Sequence, residues 1–114
     1  MMKTKIDFVT NSSSTAFIIW NNSDELLTLV DFVKENPQLI EEFRNEYRGG
    51  DDPDYTQEKL ILSARENNED LGVGSNYCVF GDEQGTLIGE VFDYILRDGG
   101  SSENFSWAFS EWLR

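Results

Sequence analysis

Thr86-Leu87-Ile88-Gly89-Glu90-Val91-Phe92-Asp93-Tyr94-Ile95-Leu96-Arg97 is the stretch on which the fold turns. Leu87, Ile88, Val91, Phe92, Ile95 and Leu96 recur at helical spacing and make one continuous apolar face, so the spacing predicts a helix over 86–97. Arg97 suits the negative end of that helix, and Gly99-Gly100 stops it. Gly89 weakens it by roughly 1 kcal/mol relative to alanine. An apolar helix face has to be covered by another layer, and the segments on either side are strand-like. Tyr77-Cys78-Val79-Phe80 has the make-up of a buried strand. Phe105, Trp107 and Phe109 alternate with Ser106, Ala108 and Ser110, as in a half-buried strand. A helix through Phe105, Ala108, Phe109 and Trp112 is the competing reading, and the alternation favours the strand.

Further towards the N-terminus, Lys5-Ile6-Asp7-Phe8-Val9 and Ala16-Phe17-Ile18-Ile19-Trp20 read as two more strands. A helix is expected over 23–35, with Asn22 and Glu25 as a capping box and Leu26, Leu27, Leu29, Val30, Phe32 and Val33 as its stripe. Asn36-Pro37 breaks it and starts a second helix over 37–48, lined by Leu39, Ile40, Phe43 and Tyr47 and ended by Gly49-Gly50. After the turn Asp51-Asp52-Pro53-Asp54, an Asp54–Gln57 cap pair opens a third helix over 55–67. Leu71-Gly72-Val73-Gly74 reads as a flexible connection and Gly81–Gly85 as a turn. No repeat or composition shift divides the chain. The expectation is one α+β domain over 1–114, with a small, mainly antiparallel sheet (5–9, 16–20, 76–80, 105–110) packed by about four helices.

Composition excludes several kinds of chemistry. The 114 residues include 22 acids, 9 bases, no histidine and one cysteine, for a formal charge of −13. A Ser-His-Asp triad, a Cys-His dyad and a histidine zinc site are therefore impossible, as is an internal disulfide. The charge opposes direct binding to a nucleic acid backbone or an anionic membrane. No apolar run approaches the roughly 20 residues of a membrane helix, and no secretory signal follows the basic start, so a cytoplasmic protein is expected. Thirteen per cent aromatic residues set the chain apart from disordered acidic tails and supply a core. No cofactor is expected: Gly72-Val73-Gly74-Ser75 lacks the lysine ending of a phosphate loop and the third glycine of a dinucleotide turn.

Phe8-Val9-Thr10-Asn11-Ser12-Ser13-Ser14-Thr15-Ala16-Phe17 resembles the N-terminal F-V-[ST]-N-S-S-S-S-S-F segment of small bacterial and phage proteins. Thr15 and Ala16 replace the last two serines of that pattern. The resemblance implies a bacterial or phage origin and no particular activity. On the residues alone, a loop rich in hydroxyls and free N–H groups satisfies itself or binds an anion. Asn11, Ser12, Ser13 and Ser14 are the candidate anion ligands, with Lys3 and Lys5 upstream.

Charge is concentrated in the middle of the chain. Residues 21–70 hold 14 acids against 5 bases, a net of −9. Glu42 and Glu46 lie one helical turn apart, as do Asp31 and Glu35, and each like-charged pair costs roughly 0.2–0.5 kcal/mol in an isolated helix. Such an excess keeps a protein dispersed, and it also suits a basic partner. The leading expectation is a non-catalytic protein whose acidic helical face engages a basic protein surface, such as that of a nucleic-acid-binding protein it inhibits. Glu41, Glu42, Glu46, Asp51, Asp52 and Asp54 are the candidate contacts. Two alternatives remain. One is a small enzyme or ligand-binding domain, using the serine loop or a divalent metal on carboxylates such as Asp7, Glu90 and Asp93. The other is a structural adaptor with Trp107, Phe109 and Trp112 near an exposed strand edge.

Overall fold

Strand β1, Ser14–Asn21, is the axis of the molecule. Its sequence, Ser-Thr-Ala-Phe-Ile-Ile-Trp-Asn, is rich in the branched and aromatic residues that suit a pleated, buried strand. The computed structural model describes residues 14–47, 53–81 and 85–113. Within them the order is β1, β2 (Leu27–Thr28), α1 (Leu29–Glu35), α2 (Gln38–Tyr47), α3 (Gln57–Glu66), β3 (Asp70–Leu71), β4 (Gly74–Gly81), α4 (Leu87–Ile95), a 3-10 turn (Leu96–Asp98), β5 (Gly100–Ser101) and β6 (Phe105–Leu113). The four-stranded sheet has the order β4-β1-β6-β5, and every pairing in it is antiparallel. The two-residue strands β2 and β3 form a separate antiparallel ribbon. The architecture is α+β, as expected. Of the four strands expected for the sheet, 5–9 lies outside the described residues.

The helices cover one face of the sheet. Phe17 and Ile19 of β1, Cys78 and Phe80 of β4, and Phe105 and Trp107 of β6 enter a single core with Ile88, Val91, Phe92 and Ile95 of α4. Phe32 of α1 is the hub: its ring meets Phe92, Phe105 and Trp107 edge-on, with centroids 5.5, 5.1 and 5.2 Å away. Each such side chain, taken fully out of water, contributes roughly 1.5–3 kcal/mol.

Three expectations are corrected. The first helix begins at Leu29, six residues later than expected, because Thr28 rather than Asn22 is its cap. Thr28 Oγ1 accepts from Asp31 N, and the Asp31 carboxylate accepts from Thr28 N. Asn21 holds the preceding residues in a turn instead: Ser23 N donates to its Oδ1 (2.9 Å), and its Nδ2 donates to Glu25 O and Leu71 O (both 2.8 Å). The third helix is capped by Thr56, whose Oγ1 accepts from Lys59 N, not by Asp54. Residues 71–74 are no flexible connection. Leu71 is buried in β3, and Asn76 holds the turn by accepting from Gly72 N (3.0 Å) and donating to Gly72 O (2.9 Å).

Candidate functional site

Helix α2 presents the acidic surface. Leu39, Ile40 and Phe43 are buried, and helical geometry then turns Glu41, Glu42 and Glu46 outward, where all three are exposed. Among the described residues none of the three makes an ion pair. On the buried side of the helix lies an aromatic cluster. Phe43 lies 5.2 Å from Tyr47 and 5.4 Å from Tyr55, and Tyr47 lies 5.1 Å from Tyr94 of α4. Tyr47, the last residue of α2, remains 49% exposed. Tyr55 Oη donates to the Glu90 carboxylate at 2.9 Å, which ties the start of α3 to α4.

The other sequence-predicted contacts separate. Asp54 lies beyond the C-terminal end of α2 and faces Lys59 at 3.4 Å, an exposed pair that contributes little. Asp51 and Asp52 lie outside the described residues. Of the anion candidates, Asn11, Ser12 and Ser13 also lie outside them. Ser14 opens β1 with its hydroxyl buried and, among the described residues, without a hydrogen-bond partner.

The residue that follows it meets a charge. Thr15 Oγ1 donates to Asp93 Oδ1 at 2.5 Å, and Asp93 is completely buried. Arg97, one turn along, places Nη2 3.2 Å from the same oxygen and donates from Nε to the Asp93 carbonyl at 2.6 Å. Its guanidinium lies between the rings of Tyr94 (4.6 Å) and Trp112 (4.5 Å), an arrangement that adds cation–π attraction. Sequence reasoning placed Asp93 with Glu90 as candidate metal ligands. Here Asp93 is committed to Thr15 and Arg97, Glu90 to Tyr55, and Asp7 lies outside the described residues. Among the described residues no group of three or more acids or cysteines is close enough to hold a metal ion.

Two further groups were missed in the sequence. Glu35, at the end of α1, accepts from Ser102 Oγ, from Asn104 N (2.8 Å) and from Asn104 Nδ2 (2.8 Å). Burial pushes its carboxyl up, and the three hydrogen bonds together outweigh this and hold it below the usual range. A groove of about 430 Å³ runs between the end of α3 and the start of α4, with Glu69, Asn67 and Thr86 among its walls. Burial pushes the Glu69 carboxyl up. Neither group has a sequence signal: Ser102 and Asn104 are ordinary loop residues. Cys78 is buried, and burial first, then the nearby Glu69, pushes its thiol up to about 12, so it is no nucleophile at neutral pH.

Compared with protein-family models, curated proteins and solved structures, the chain matches none. Among the described residues no helix is long and apolar enough to cross a membrane.

Proposed function

We propose that the protein is a non-catalytic binding protein that engages a basic surface on a protein partner through the outer face of α2. The observation that carries this reading is the exposure of Glu41, Glu42 and Glu46, which have no ion-pair partner among the described residues, on the helix that ends at the half-exposed Tyr47. Carboxylates on a helix anchored by Leu39, Ile40 and Phe43 are held in fixed spacing, which favours a partner with lysines or arginines at matching positions. Tyrosine is a frequent energetic anchor in interfaces and takes a guanidinium or ammonium on its face. A net charge of −13 speeds the encounter with such a partner. Helical carboxylates in regular array also imitate a phosphate backbone, so a nucleic-acid-binding protein is a suitable partner class.

Salt tests the reading. Nuclease-treated lysate is passed over the immobilised protein at low ionic strength and then washed with salt. The reading expects a basic protein to be retained and then released by salt, because exposed charges are screened within about 8–10 Å at physiological ionic strength. Retention that salt does not disturb contradicts it.

A further inference from the structure

We propose that an extended, basic segment of another protein chain adds to the sheet as a new strand along the outer edge of β6, at Ala108–Leu113. Strand β6 is nine residues long, yet on its outer side only Ser106 and Trp107 are paired, with Ser101 and Gly100. The chain joins that edge only at Gly99, where a positive φ of 72° takes it out of the 3-10 turn and into the two-residue β5. Among the described residues, Ala108–Leu113 therefore keep the outward half of their backbone donors and acceptors without a strand opposite, and such an edge templates a further strand. Proline and lysine, the residues that commonly block edges, are absent from it.

The register gives the edge an aromatic face. Phe109 pairs with Phe17 and Trp112 with Thr15, residues two apart on β1, because Ser110 is an extra residue at a bulge. Phe109 and Trp112 thus share one side of the sheet, their ring centroids 5.2 Å apart, and are 39% and 55% exposed. Covering what remains of each ring removes on the order of 100 Å² from water. A single strand along six residues then covers a few hundred Å² per partner, below the roughly 800 Å² per side of a stable dimer. Two copies would also bring −13 against −13. An incoming segment held mainly by main-chain hydrogen bonds needs no such area. Charge selects its sign: the chain carries −13, Asp98 of the 3-10 turn and Glu111 of β6 are exposed, Glu111 accepting from Tyr77 Oη at 2.9 Å, and Arg97 is already committed to Asp93.

The test uses the full chain and an eight-residue peptide alternating lysine and valine, followed by amide hydrogen exchange. At about 90% occupancy, exchange of the outward amides of Ala108–Leu113 is expected to slow roughly tenfold. The same peptide with alternate N-methylated residues, or with glutamate for lysine, should give no protection. Trp112→Ser, which removes the ring without adding charge, should weaken binding about fivefold, with unchanged exchange in β1 showing that the sheet is intact. The combined change Glu41→Lys, Glu42→Lys and Glu46→Lys should leave the protection in place, which separates this edge from the α2 face. Absence of protection at Ala108–Leu113 with millimolar peptide overturns the proposal. So does loss of protection in the α2 variant, or protection that rises with protein concentration alone and so reports a second copy.

Discussion

Thr15 and Asp93, 78 residues apart, are joined by a 2.5 Å hydrogen bond inside the protein, with Arg97 on the same carboxylate oxygen. This contact fastens the first residues of the central strand to the helix that covers the sheet. A buried carboxylate is tolerable only with such partners, and removing it leaves the buried Thr15 hydroxyl without its acceptor and takes the carboxylate from Arg97, which keeps its bond to the Asp93 carbonyl. Asp93→Ala is expected to cost about 3–5 kcal/mol in urea denaturation. Thr15→Val, which removes one neutral donor, should cost about 1–2 kcal/mol. A double-mutant cycle between the two should show coupling; strict additivity would mean that the contact carries no energy.

Glu35 makes the stability depend on acid. Its folded-state carboxyl titrates below its unfolded value, so its contribution is fully present above the unfolded pKa and is lost as pH falls through the folded one. Glu35→Gln should therefore be less stable than the native chain at neutral pH, and the difference should shrink in the acid range. Melting curves from neutral pH down to about pH 3 check the sign. A gap that widens on acidification would contradict it.

Gly100 is fixed by its neighbour. A Cβ there would stand 2.5 Å from Trp107 Cζ2, and Trp107 is a buried core ring that cannot swing away cheaply. Gly100→Ala is expected to cost about 1–3 kcal/mol, measured by thermal or urea unfolding. An unchanged midpoint would mean that the β5 edge yields.

The Cys78 thiol, pushed up to about 12, should be inert to thiol reagents at pH 8 in the folded protein and react only through unfolding. Labelling with a disulfide reagent over a urea series should track the unfolded fraction. Fast labelling without denaturant would place the sulfur near solvent.

The long elements were legible because their periods are long. The stripe Leu87 to Leu96 marks α4, and the alternation Phe105, Trp107, Phe109 marks β6. Two-residue strands such as β2, β3 and β5 show no period at all. The start of α1 was misplaced because Asn22–Glu25 and Thr28–Asp31 both satisfy the capping-box pattern, and only the pairing of Leu27–Thr28 with Asp70–Leu71 decides between them. Leu26, read as part of the apolar stripe, is 61% exposed as a result. The outward set Glu41, Glu42 and Glu46 was legible from helical spacing alone. Glu35 with Ser102 and Asn104, and Thr15 with Asp93, were not, because polar contacts across 67 to 78 residues leave no local pattern.

The most direct measurement compares the native chain with the combined Glu41→Lys, Glu42→Lys and Glu46→Lys variant in capture from nuclease-treated lysate, after both are shown to melt alike. These side chains are exposed, so the substitutions should change stability by no more than about 0.5 kcal/mol. The acidic-face account predicts that a basic protein retained by the native chain is lost from the variant. Equal retention by both would contradict it.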